Sequence, residues 1–283
     1  MPPRLFVDLP LGPGPGPAFS LPSGPARHVQ VLRLQPGAAL TLFNGSGGEW
    51  RASVTHMGRS DVQVQLEAYD AVDRELPLPV TLALGMPANE RMDSLVEKAT
   101  ELGAAVIQPL MCQRSVLRLN GERAQKKVAH WQAVAVAACE QCGRTRVPRI
   151  EPVLAFDAWL ARLGAVDTKS AESSGVGANA DAGADAGAVA VHRFVLSFVG
   201  TPVASVLACA GGLRTGVLCL SGPEGGLTED EESAARAAGF LALSLGARVL
   251  RADTAPLALL AHLGLMALPA LPTLTAPAHP GPR

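Results

Sequence analysis

Between Asp61 and Tyr69, Val62, Val64 and Leu66 alternate with Asp61, Gln63, Gln65 and Glu67. That period of two predicts a strand with one face buried. Three similar short runs precede it, at Arg4–Val7, Ala39–Phe43 and Glu49–Thr55. Met57-Gly58-Arg59-Ser60 reads as a hairpin turn joining the last two strands, and Ala26–Leu34 as a short helix ended by Pro36-Gly37. The Gly-Pro repeat from Gly12 to Pro17 lacks the donors a strand ladder needs, so it is expected to be an exposed loop. The pattern predicts a small β-barrel-like domain over residues 1–72.

After a charged, proline-bearing linker at 73–79, the period changes. Val80–Leu84 is a continuous apolar run, the mark of a strand buried on both faces. Met92, Leu95, Val96, Ala99 and Leu102 then recur at helical spacing, followed by a strand at Ala105–Leu110. Ala124, Val128, Trp131, Ala135 and Ala138 form one face of a long second helix. Strands at Phe194–Val199 and Val217–Leu220, and helices at Glu229–Ala238 and about Pro256–Met266, complete an alternation that implies a parallel sheet covered on both sides. An α/β domain is therefore expected over 80–270. It is interrupted at 165–190 by an Ala/Gly/Ser/Asp-rich stretch without periodicity, read as a mobile insertion, and followed by a disordered tail at 271–283.

Composition narrows the class of protein. Of 283 residues 48% are hydrophobic and 17% charged, below the average of about 25%. Collagenous, coiled-coil and wholly disordered chains are excluded. The net charge of −1 excludes a uniformly basic nucleic-acid binder but conceals a polarised surface. Arg114, Arg118, Arg123, Lys126, Lys127, Arg144, Arg146 and Arg149 face only Glu122 and Glu140 over the same stretch. An anionic partner therefore stays open. No apolar signal-like core occupies Met1–Pro10, and Ala255–Leu268 is broken by His262 and stopped by Pro269 before it could span a bilayer. A cytoplasmic protein with reduced thiols and no membrane partner is expected. Cys139-x-x-Cys142 has no second pair at ligand spacing, and the six histidines form no helical metal pair, so no metal is expected.

Two segments carry candidate chemistry. The strand ending at Ser221 runs into Gly222-Pro223-Glu224-Gly225-Gly226, and Thr228 with Glu231 forms a capping box that fixes the next helix start. A glycine-rich turn at the end of a strand in an α/β sheet is either a tight turn alone or a ligand site. Glu224 and the acids Glu229–Glu232 disfavour a phosphate and favour a cationic or neutral heterocyclic ligand. The second segment, Ser244–Ala255, spaces Arg248 and Arg251 among apolar residues beside Asp253 and Thr254, either of which could cap the last helix. The two arginines either serve a ligand or pair with Asp253 and Glu224.

Gly222-Pro223-Glu224-Gly225-Gly226, followed by Leu245-Gly246-x-Arg248-x-Leu250-Arg251-x-x-Thr254, resembles the signature of the RsmE family, bacterial 16S rRNA uracil-N3 methyltransferases of the SPOUT class. Further blocks match in order: His28-Val29-Gln30-Val31-Leu32-Arg33, Phe43–Gly47, Lys98–Gly103, and Ala137–Arg144 with Val147-Pro148. The resemblance covers nearly the whole chain. It implies an N-terminal PUA-like RNA-binding domain, a C-terminal SPOUT α/β domain passing through a trefoil knot, a homodimer, S-adenosylmethionine (SAM) as cofactor, and 16S rRNA of the small ribosomal subunit as substrate. The implied cofactor contacts are Leu196, Leu220, Gly222, Pro223, Glu224, Gly225, Leu245, Gly246, Arg248, Leu250 and Thr254. Two differences stand out: Asp253 replaces the more common Glu, and Leu196–Pro202 departs from the family's usual polar strand end.

Uracil N3 carries a proton and is a weak nucleophile, so methylation requires that proton to leave. Arg251 or Arg248 could stabilise the developing negative charge, and Glu224 or Asp253 could orient the base or accept the proton; the sequence leaves these roles open. RNA contacts are expected from Arg4, Arg27, His28 and Arg33 in the N-terminal domain and from Arg114 and Arg144 in the cationic stretch, although a solvated surface group is the favoured reading of His28. Two other readings remain: methylation of another RNA position, and a non-catalytic RNA-binding assembly factor.

Overall fold

A computed structural model describes residues 2–59, 61–163, 191–209 and 215–267. The insertion expected at 165–190 and the tail expected at 271–283 lie outside the described residues. The N-terminal part is a curled sheet of five strands in the order β1-β3-β4-β5-β2. Its strands are β1 (Arg4–Phe6), β2 (Phe19–Ser20), β3 (Ala39–Phe43), β4 (Glu49–Met57) and β5 (Val62–Asp70), with helix α1 (Ser23–Val31) between β2 and β3. β1 and β2 lie at opposite ends of that order, so the sheet is a half-barrel where a barrel was expected. Leu42, Val54, Val62 and Val64 point inward, as the period of two requires, and pack with Leu5 and Val29. The Gly-Pro segment is tied down through its carbonyls: Trp50 Nε1 donates to Gly12 O at 2.6 Å.

The C-terminal part is an all-parallel sheet. β6 (Val80–Gly85), β7 (Val106–Met111), β8 (Arg149–Ile150), β10 (His192–Pro202), β11 (Val217–Ser221) and β12 (Leu241–Ser244) run in the order β12-β10-β11-β6-β7-β8, and β9 (Leu154–Ala155) also pairs with β7. Helices α2 (Asn89–Glu101), α3 (Gly121–Cys142) and α7 (Thr254–Ala267) cover one face. A helix over residues 156–163, α4, and α6 (Glu229–Ala237) cover the other, and α5 (Val203–Cys209) follows β10. β11 shows why the run of apolar residues is continuous: Cys219 enters one core, while Leu218 and Leu220 enter the other. The short strands β2, β8, β9 and β12 and the helices α4 and α5 were not legible from periodicity, because two to four residues, or one or two turns, carry too little of it.

Strand starts and helix ends gather at one end of this sheet, and there the N-terminal part docks. The Phe6 amide donates to Glu140 Oε1 at 2.9 Å, and the Gly47 amide donates to Thr145 O at 3.2 Å. Arg4 pairs with Glu49, donates to the carbonyls of Gly143 and Arg144, and lies over the Phe43 ring. Arg74 bonds both Glu49 and the Gly143 carbonyl, which is the C-cap of α3 in left-handed conformation. Burial pushes the Glu49 carboxyl up, but Arg74 and Arg4 outweigh it and hold it below its ordinary value. Arg144 is buried at 4% exposure, pairs with Glu75 and donates to Thr100 O and Ala104 O at 2.8 and 2.9 Å. The expectation that Arg4 and Arg144 contact RNA is therefore corrected. Both are largely enclosed: the Arg4 Nη atoms go to Glu49 and to the Gly143 and Arg144 carbonyls, its Nε is buried without a partner, and the Arg144 donors go to Glu75, Thr100 and Ala104.

Candidate active site

The opposite end of the sheet, where the parallel strands finish, holds a cavity of about 590 Å³. Such ends are where open α/β sheets place ligands. The middle of β10, where its register shifts, and the ends of β11 and β12 contribute Leu196, Ser197, Phe198, Ser221, Leu243 and Ser244. The glycine turn after β11 and the 245–252 segment after β12 form the remaining walls. The cavity brings together Leu196, Gly222, Pro223, Glu224, Gly225, Leu245, Gly246, Arg248, Leu250 and Arg251 from the expected residues. Three expected residues stand outside it. Leu220 is fully buried in the core, Thr254 opens α7 with its hydroxyl on Asp253 Oδ1, and Asp253 does not line the wall. The strand period explains Leu220: Ser221, one residue on, is the last of β11 and reaches the cavity.

The glycine turn is fixed from three sides. Glu224 Oε1 accepts from the Ala88 amide at the start of α2 at 3.0 Å and faces Arg91 at 3.6 Å. A carboxylate at a helix N-terminus is favoured by the exposed amides there. Arg114 donates from Nη1 to the carbonyls of Gly225 and Leu227, at 3.0 and 3.2 Å. Glu231 is buried at 3% exposure. It completes the capping box on Thr228 and accepts from the Gln113 amide at 2.8 Å. Arg114, expected to touch RNA, thus holds the turn from behind and also lines the cavity. A Cβ on Gly222 would sit 2.8 Å from the Leu227 amide nitrogen, so this glycine permits the turn to fold back on itself. On Gly225 the same atom would meet the Arg114 side chain at 3.0 Å. Beneath the turn Cys112 is buried, and burial, with Glu231 nearby, pushes its thiol up to about 12. It stays a neutral thiol at physiological pH.

Arg248 and Arg251 do not pair with Glu224 or Asp253. Among the described residues neither guanidinium has a hydrogen-bond or ion-pair partner, and both are exposed. The backbone beneath them is ordered by Gly246 at φ +107° and by the Arg251 carbonyl, which accepts from the Thr254 and Ala255 amides at 3.0 Å each. Arg91, Ser197, Phe198 and Arg114 were missed as cavity residues. Arg91 carries a usable signal, a cation in the first turn of the helix following β6, whereas the others depend on which loops meet.

Of the N-terminal candidates, Arg27 and Arg33 are exposed. His28 is turned toward the cleft between α1 and α3, with Nδ1 3.7 Å from Glu140 Oε2. Arg33 is, among the described residues, the one non-glycine residue at positive φ, +53°. Cys139 and Cys142 remain free thiols, and no group of three or more metal-ligating side chains occurs among the described residues. No helix among them is long and apolar enough to cross a membrane.

A half-barrel joined to a parallel α/β sheet, with a glycine-walled cavity at its strand ends, matches a two-domain RNA methyltransferase in both parts. Residues 74–264 match the RNA methyltransferase domain family, and residues 26–67 match the RNA methyltransferase PUA domain. The chain belongs to the ribosomal RNA small subunit methyltransferase E family. It is 30% identical to that methyltransferase of Bacillus subtilis over 85% of this chain and 87% of the relative. It is 31% identical to the Neisseria gonorrhoeae enzyme, solved bound to S-adenosyl methionine, with a TM-score of 0.75 over 94% of this chain and 98% of that one. A methyltransferase of Legionella pneumophila in complex with SAM superposes with a TM-score of 0.78 at 28% identity, over the same shares of the two chains.

Proposed function

We propose that this protein transfers a methyl group from SAM to N3 of a uridine in 16S rRNA of the small ribosomal subunit. It would work as a cytoplasmic homodimer whose C-terminal chain is knotted. The observation that carries the reading is the cavity itself. A glycine turn held by Arg114, Glu224 and Glu231 shares a cavity of about 590 Å³ with two arginines that have no partner among the described residues, a volume within the range typical of small-molecule sites. Family membership and the SAM-bound relatives supply the cofactor. Leu196, Leu243, Leu245 and Leu250 suit an adenine face, and the glycine-turn backbone suits its polar edge. Bound SAM supplies an electrophilic methyl on a sulfonium.

The chain's own residues do the rest. Glu224 Oε1 is engaged with Ala88 and Arg91, so we assign it to positioning the turn. Asp253 stands outside the cavity wall and helps order the start of α7. Arg251 is left as the group that stabilises negative charge on the uracil carbonyls as N3 loses its proton to solvent. Phe198, Val199 and Val249 are exposed at 71%, 86% and 79% beside the cavity, and a second copy would cover them. Arg27 and Arg33 are the N-terminal groups open to RNA phosphates.

Calorimetric titration with SAM, followed by transfer of labelled methyl to small subunits and mapping of the modified base, tests the reading. SAM binding with label at a uridine N3 is expected. Label elsewhere would replace the substrate, and RNA binding without SAM binding would make the protein a non-catalytic assembly factor.

A further inference from the structure

The cavity carries more positive charge than its cofactor can use. Arg91, Arg114, Arg248 and Arg251 all line it. Arg91 faces Glu224, and Arg114 donates to two backbone carbonyls. The other acid in the wall, Glu232, is paired with Arg236. Arg248 and Arg251 stay unpaired among the described residues. SAM, with a sulfonium, an ammonium and one carboxylate, is itself a net cation. Two unpaired guanidiniums beside a cation repel it unless an anion enters as well. The uracil ring provides negative charge only while N3 is deprotonated, whereas the phosphate of the same nucleotide provides it permanently.

We propose that Arg248 forms a subsite for the backbone phosphate of the target nucleotide at the mouth of the cavity, leaving Arg251 to the base. The proposal rests on the methyltransferase reading and assigns a separate role to each arginine. Arg251 is anchored at the start of α7 through its carbonyl. Arg248 lies in the outer segment, next to Val249, which is 79% exposed. Three chain steps separate their Cα atoms by at most about 11 Å, within the reach of one nucleotide. A planar guanidinium matches two phosphate oxygens at once. Once a base has left its stack, its phosphate is the part of the nucleotide that any sequence offers, so this contact seats the nucleotide without reading it.

The test uses the full-length protein, SAM and small ribosomal subunits lacking the modification, with Arg248→Gln, Arg248→Lys and Arg251→Lys compared. In Arg248→Gln the Michaelis constant for RNA should rise about tenfold or more, the loss expected for one charged hydrogen bond. The slope of log affinity against log salt should fall by about 0.7–0.9, the share of one phosphate. The saturated single-turnover rate should fall much less than the Michaelis constant rises, and SAM affinity should hold. Arg248→Lys keeps the charge and should restore the salt slope. An unchanged slope overturns the subsite. A loss confined to the saturated rate makes Arg248 a charge-stabilising group at the base, and weakened SAM binding makes it a cofactor ligand; either result overturns the proposal. If the unaltered protein transfers no methyl group, the functional reading falls first and the subsite with it.

Discussion

Replacing Arg144 by Ala should cost stability and leave RNA recognition intact. Its guanidinium holds Glu75 through Nε at 3.0 and 3.1 Å and through Nη2, and it reaches the Thr100 and Ala104 carbonyls through Nη1. The side chain is 5% exposed and that of Glu75 16%, so water cannot replace the lost donors easily. Removing one partner of a buried pair costs about 3–5 kcal/mol, because the other charge is stranded. At about 2–4 °C per kcal/mol for domains of this size, the melting temperature should drop by roughly 6–20 °C. Replacing both partners, as in Arg144→Met with Glu75→Leu, removes the stranded charge and should recover that part of the loss, leaving the cost of the Thr100 and Ala104 carbonyls that lose their donor. Thermal and urea melts measure the stability. RNA affinity across a salt series, at a temperature where the variant is folded, measures recognition. A loss below about 1 kcal/mol, the usual worth of an exposed pair, together with a flatter salt dependence, would refute the reasoning and return Arg144 to the RNA face.

Arg33→Gly should leave stability unchanged or raise it by up to about 1 kcal/mol, since glycine tolerates the positive φ; RNA affinity should nonetheless fall, and equal affinity would remove Arg33 from the RNA surface. Arg251→Lys should keep the charge and most binding but lower single-turnover methylation by about 100- to 1,000-fold, as for other removed charge-stabilising donors; a near-normal saturated rate with weakened SAM binding would leave Arg251 as scaffold. Glu49 has a depressed carboxyl, so its contribution is present above the unfolded value near 4.3 and disappears as pH falls through the lower folded value. Glu49→Gln should therefore flatten the fall in stability below about pH 5, and parallel curves for the two proteins would show that the Arg4–Glu49–Arg74 cluster adds nothing.

The sequence alone determined what depends on local period and local chemistry. Alternation in β5, the continuous apolar run of β6, the helical faces of α2 and α3 and the capping box at Thr228 all report which faces are buried, and burial is written residue by residue. On its own chemistry the glycine turn read equally as a tight turn or a ligand site; the resemblance to the RsmE signature joined it to the Leu245–Arg251 segment, and both segments line the cavity. Tertiary structure decided which charges are free. Arg4, Arg114 and Arg144 look no different from Arg27, Arg33, Arg248 and Arg251 along the chain. The first three are held by Glu49, by the glycine turn and by Glu75, partners between 45 and 113 positions away, whereas the guanidiniums of Arg27, Arg33, Arg248 and Arg251 have no partner among the described residues. The turn-holding contact of Glu224 was invisible for the same reason, because Ala88 lies 136 positions before it. A formal charge is a property of one residue, but its availability depends on what the fold brings within hydrogen-bond reach.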